Sequence, residues 1–311
     1  MPSTLRPVLA VVTAAALFGT AGTARELGPD GSTALGVGAT RIVIGTVVLW
    51  LVVWWRGTRG SIRPIGAPLR ANRGVLLLGG FGVAAYTPMF FEAVERTGVA
   101  VGTIVGIGSG PFFAGALEWA WRDVRPSRWL AVGTVVSVTG GAVLVLAQNA
   151  GDSSGDPVDA VGLLFALGAG SGYALYSATS KAVMERGVDP VLTLASSFLV
   201  GSTIVALLAP GEPFGWIATR DGLLMALQLG LLATGLAYIL YGYGLRRLTS
   251  ATTVTLVLAE PLTATLLAVL VLDESIVPTA WIGIVGLLMG LLIVGRTAHV
   301  SFEPVPDDSP A

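Results

Sequence analysis

Two charged residues stand inside long apolar runs, and they are where chemistry could be done. Arg41 lies eight residues into the run 33–55, and Glu260 lies within the run 249–272, immediately before Pro261. On insertion scales a charge at the centre of a lipid-spanning helix costs roughly 2.5–3.5 kcal/mol, so such residues face a cavity or a partner. At 1.5 Å per residue Arg41 sits about 12 Å from the helix start. There it could attract a carboxylate or other anionic group, or serve structurally by bonding loop carbonyls. Glu260 could carry a proton, or simply hydrogen-bond to a neighbouring helix. Its proline neighbour removes a backbone hydrogen bond and predicts a hinge. Pro111 is a second candidate hinge.

Uncharged candidates accompany them. Tyr86, Tyr176 and Tyr238 are deep enough in their runs to line an amphipathic cavity, and Gln228 is a further polar candidate. Tyr173 shares a helix face with Tyr176, three residues on. Glu92 and Glu118 fall near run ends and read as interfacial, as do Trp50, Trp54 and Trp55. The string Gly106-Ile107-Gly108-Ser109-Gly110 has no strand before it, so it reads as close helix packing rather than a phosphate loop.

What is missing narrows the chemistry. The 311 residues include no cysteine and a single histidine, His299, in the tail. Thiolate nucleophiles, disulfides and the commonest general base are therefore excluded from the body of the chain. There are no carboxylates paired at fixed spacing and no nucleotide loop. No metal, cofactor or nucleic-acid partner is expected, and an enzyme is not.

The elements that must hold these residues are helices. The chain is 53% hydrophobic and 12% charged, against about 25% charged in soluble domains. A bilayer core takes about 20 apolar residues per helix. Ten runs fit: 7–25, 33–55, 74–94, 98–120, 128–148, 158–181, 190–209, 221–244, 249–272 and 277–296. The first reads as a span rather than a cleaved leader. The narrowest break separates the third and fourth runs, at Glu92, Glu95 and Arg96. Residues 149–157 form a polar linker, and 301–311 an acidic, proline-rich tail expected to be disordered.

Charge then orients the chain. With the N-terminus in the cytoplasm, 14 of the 18 Lys and Arg residues fall in inside loops and 3 in outside loops, with Arg41 inside a run. That asymmetry follows the positive-inside rule and predicts cytoplasmic termini on an inner-membrane protein.

The two halves also match at an offset of 150 residues. Gly80 pairs with Gly230, Arg96 with Arg246, Pro111 with Pro261, Asp123 with Asp273, Gly133 with Gly283 and Gly140 with Gly290. Five spans per half is an odd number, so the second half must be upside down. The expected fold is all-α, with repeats at 1–148 and 158–300. Inverted repeats can exchange conformations of similar energy, which is a route to alternating access.

The chain resembles the EamA family of the drug/metabolite transporter superfamily to about residue 297. The resemblance rests on Leu17-Phe18-Gly19, Arg41, Pro111, Ala259-Glu260-Pro261 and Leu270-Val271-Leu272-Asp273-Glu274, with Gly283 and Gly290. Trp119-Ala120-Trp121-Arg122-Asp123 departs from the pattern. The resemblance implies a transporter of amino acids, other metabolites or drugs, without naming the substrate. The expectation is a secondary transporter for a small metabolite, working in the bilayer as a monomer or homodimer, with protons as the candidate coupling partner. The alternative is a non-transporting membrane sensor or scaffold.

Overall fold

The computed structural model describes residues 2–60, 65–123, 125–148, 159–273 and 276–298. The 149–157 linker, the 301–311 tail, Glu274 and His299 fall outside the described residues. Among the described residues, ten helices are long and apolar enough to cross a membrane. They are α1 (Leu5–Glu26), α2 (Ala34–Thr58), α3 (Arg73–Thr97), α4 (Val101–Arg122) and α5 (Arg128–Ala147). The second five are α6 (Ala160–Glu185), α7 (Pro190–Leu208), α8 (Arg220–Arg247), α9 (Ser250–Val271) and α10 (Ala280–Thr297).

Local chemistry sets the ends. Thr33, Asp159, Asp189, Thr219 and Thr249 each accept a backbone N–H of the first turn that follows, which satisfies otherwise orphaned donors. The Val161 N–H, and after it Arg96, hold the Asp159 carboxyl below the ordinary aspartate range. At the other ends, Asp123 (φ 52°) and Asp273 (φ 57°) close α4 and α9 in the left-handed conformation, where aspartate is one of the few tolerated side chains. These two residues are repeat mates.

Regular helix geometry is disturbed at three places. The residues from Arg73 to Arg122 are helical, yet they form two spans rather than one rod, because the chain reverses between Thr97 and Val101. A Cβ at Gly102 would lie 3.0 Å from the Cα of Val94, and one at Gly106 3.3 Å from the ring of Phe90. In a straight helix eight residues span about 12 Å, so α3 and α4 form a tight hairpin. In α8, residues Gln228–Leu236 form wider π-helical turns, and Thr234 Oγ1 donates to the Leu229 carbonyl five residues back at 2.8 Å. Helix α9 is interrupted at Leu258–Ala259 and restarts at Glu260 with Pro261 in its first turn, where a missing N–H costs no helical bond. Pro111, by contrast, lies in the interior of α4.

Helix pairing follows the repeat. Helix α1 packs on α8 and α9, while α6 packs on the α3–α4 hairpin; α2 packs on α8, while α7 packs on α3. The mates α2 and α7 touch each other, as do α5 and α10. Along α2–α7, Trp50 Nε1 donates to Ala195 O at 3.0 Å and Arg56 meets Asp189 at 3.0 Å. Along α5–α10, Gly133 meets Gly290 and Gly140 meets Gly283. The partner's number falls as the first rises, so each pair is antiparallel. The two glycine contacts exchange under the 150-residue shift, as upside-down repeats require.

Direct contacts also sort the loops into two ends. Asn72 bonds Arg186, Arg56 pairs with Asp189, and Arg122 with Glu185, all at an arginine-rich end. Thr33 bonds Glu212, and Arg96 pairs with Asp159, at an arginine-poor end. Trp54, Trp55, Trp119 and Trp129 are exposed, and the Arg59 guanidinium sits 4.0 Å from the Trp55 ring centre.

Three expectations change. Glu118 is not interfacial: it is 2% exposed, accepts the backbone N–H groups of Ser250 (2.6 Å) and Ala251 (3.2 Å), and pairs with Arg122 at 3.2 Å. Lys181, counted among the loop cations, is fully buried and donates to the Arg246 carbonyl at 2.9 Å. Trp50 turns inward to Ala195 instead of anchoring at the interface. In each case the deciding partner is more than 60 residues away in sequence.

Candidate functional site

A cavity of about 240 Å³ lies between the two halves, walled by α1, α2, α3, α4, α6, α7, α8 and Glu260 of α9. The break in α9 is what presents Glu260 there. It leads the second half-helix, where the positive end of the helix dipole favours a carboxylate. Arg41 reaches the same space from α2. Among the described residues neither Arg41 nor Glu260 makes an ion pair within 4.0 Å. Two opposite charges thus face one cavity without closing on each other.

Seven aromatic rings line much of the remaining wall. Tyr86 stacks on Phe90 with centroids 5.7 Å apart and lies 6.0 Å from Tyr173. Tyr176 is 6.0 Å from Tyr238, which meets Phe198 edge-on at 4.4 Å. The buried hydroxyls of Tyr173 and Tyr176 lie among those of Tyr238 and Tyr241, so the four phenols form one polar cluster at this wall.

The cavity is asymmetric along the helix axes. Its mouth is at the arginine-poor end, where Ala21, Gly22 and the exposed Arg25 line it and the Arg25 guanidinium sits 6.0 Å from the Phe91 ring. Toward the arginine-rich end it stops at the tyrosines. Beyond them Tyr241 bonds Ser177 at 2.8 Å, and the Glu118–Arg122–Glu185–Lys181 cluster ties α4, α6, α8 and α9 together.

Of the residues singled out from sequence, Arg41, Tyr86, Tyr176, Tyr238 and Glu260 line this cavity. Gln228 does not: its Nε2 donates to Thr20 of α1. Pro261 lines a separate small groove between α4, α5 and α9. Glu92 pairs with Arg96 at 2.6 Å on the exposed rim. Sequence reasoning missed Arg25, Thr87, Phe198 and Thr234 as wall residues. Tyr173 carried a signal in its three-residue spacing from Tyr176. Arg25 had none, because it stands at the end of a run like any loop cation.

The EamA-like transporter family model matches residues 5–146 and again 160–296. Among curated proteins the chain is 38% identical over 286 residues, 92% of each chain, to YwfM of Bacillus subtilis (strain 168), an uncharacterized transporter. It is 30% identical over 163 residues, 52% of each chain, to an uncharacterized transporter of Clostridium kluyveri. A solved crystal structure superposes with a TM-score of 0.77 at 22% identity, covering 92% of this chain and 95% of the other; that likeness concerns the fold.

Proposed function

This chain belongs to the EamA-like transporter family, and from that premise we propose that it is a secondary transporter moving a small amino-acid-like or amphipathic metabolite across the inner membrane by alternating access. The arginine-rich end and both termini lie in the cytoplasm. The carrying observation is the pair of unpaired opposite charges, Arg41 and Glu260, on an aromatic cavity open at one end only. Arg41 holds an anionic group of the cargo, the rings pack its apolar part, and Glu260 takes its cationic group or a proton. At about 240 Å³ the cavity suits a small molecule.

The test is flux of a metabolite and drug panel in sealed proteoliposomes with and without a pH gradient. Saturable flux of at least one compound is expected, lost in Arg41→Ala. With proton coupling, Glu260→Gln removes the response to the gradient. The sensor or scaffold reading wins if no compound moves.

A further inference from the structure

The two halves of α9 have opposite environments. Every residue of Ser250–Val257 is buried, and none of Glu260–Val271 is. The first half is pinned to the second half of α4. Glu118 caps it. A Cβ at position 115 would lie 3.9 Å from that of Ala251, and one at Gly110 would lie 3.3 Å from Val254 Cγ1. This is the seal at the arginine-rich end.

Helix α4 is the repeat mate of α9, so the same contacts can be written with the halves exchanged. Gly115–Ala251 becomes Thr265–Val101, and Gly110–Val254 becomes Glu260–Ile104. In this structure Val101, Ile104 and Thr265 are only half-buried, and Glu260 faces the cavity. The exchange is not chemically neutral. Where the existing seal presses a valine onto a glycine, its counterpart presses an isoleucine onto a carboxylate. Burying an ionised carboxylate under an apolar side chain is strongly unfavourable unless it is paired or neutral. The groups that share the cavity with Glu260 are Arg41 from α2, Tyr86 from α3, Tyr173 and Tyr176 from α6 and Tyr238 from α8, with Arg25 at the mouth. None is ion-paired with it among the described residues.

We propose that the arginine-poor end closes by the second half of α9 settling on the first half of α4, Thr265 on Val101 and Ile104 over Glu260, so that a bare Glu260 carboxylate opposes closure and a neutralised one permits it. The inference rests on the transporter reading. It makes Glu260 a latch against closing empty, released by a cationic group of the cargo or by a proton.

The native chain has no cysteine, so introduced pairs are the only thiols. Gly115→Cys/Ala251→Cys reports the existing seal, its Cβ separation suiting a disulfide. Val101→Cys/Thr265→Cys reports the predicted one. Cross-linking in the full chain is scored by whether the halves stay joined after cleavage at a protease site inserted within 149–157. With Glu260 native, the first pair joins readily and the second slowly. With Glu260→Gln the second pair is expected to join at least tenfold faster and the first more slowly; Glu260→Asp, which keeps the charge, is expected to behave like the native chain. A second pair that never joins, or that joins at the same rate in the native and Glu260→Gln backgrounds, overturns the latch. If flux is present and the second pair does not respond, the latch fails and the transporter stands. If the second pair responds and nothing is transported, the transporter reading fails and the closure stands.

Discussion

Glu118 shows how much one side chain can hold. Its carboxylate serves two backbone N–H groups at the start of α9 and the Arg122 guanidinium at once. Glu118→Ala leaves all three without that partner in a buried place, and removing one member of a buried pair costs about 3–5 kcal/mol. A markedly lower melting temperature in detergent is the expected result. Glu118→Gln keeps an acceptor and is expected to lose less, roughly 1–3 kcal/mol. At the cavity, Arg41→Lys keeps the charge but not the planar fork of donors. For a carboxylate cargo, about a tenfold rise in the half-saturating concentration of flux is expected, equivalent to roughly 1.4 kcal/mol. Single residues were legible where lipid made them conspicuous, as with Arg41 and Glu260. Glu118 and Lys181 stood near run ends, where water is the default neighbour, and their partners are 132 and 65 residues distant. Nothing local distinguishes such a residue from an ordinary interfacial one.

The α5–α10 seam shows what element packing demands. A methyl added at Gly140 would lie 2.9 Å from the Gly283 carbonyl oxygen, and one at Gly283 2.8 Å from that of Gly140. Neighbouring Gly141 faces open space. Gly140→Ala must therefore push the helices apart, at a cost of about 1–3 kcal/mol, whereas Gly141→Ala is expected to leave stability unchanged or slightly raised through helix propensity. Thermal melts of the two variants side by side check this. The ten elements were legible because apolar run length and bilayer thickness agree, and the left-handed aspartates at 123 and 273 reproduce a pairing seen in sequence. The π-helical turns of α8 were not legible. They lie where α2 crosses that helix closely, a Cβ at Gly45 colliding with Thr234, and no local residue pattern marks them.

At the scale of the molecule, the cavity opens at one end and is tied shut at the other. A membrane-impermeant maleimide therefore has a sided pattern to report. Gly22→Cys, at the mouth, is expected to label from outside the cell. Thr58→Cys, exposed at the arginine-rich end, is expected to label only after the cytoplasmic face is opened, and Ala251→Cys, 4% exposed, from neither side. Labelling of Gly22→Cys only from the cytoplasm would reverse the orientation. The charge asymmetry made the grouping of loops legible in advance; the state of the cavity was not, because both states share one sequence. The glycine seam has a last consequence. Gly133 against Gly290 and Gly140 against Gly283 is a self-complementary patch, the kind by which two separate copies of one subunit form a closed dimer. Within this one chain the two matched segments meet along the seam as the subunits of such a dimer would. Residues 1–150 and 157–311, produced as two polypeptides in one cell, are expected to find each other along that seam and copurify.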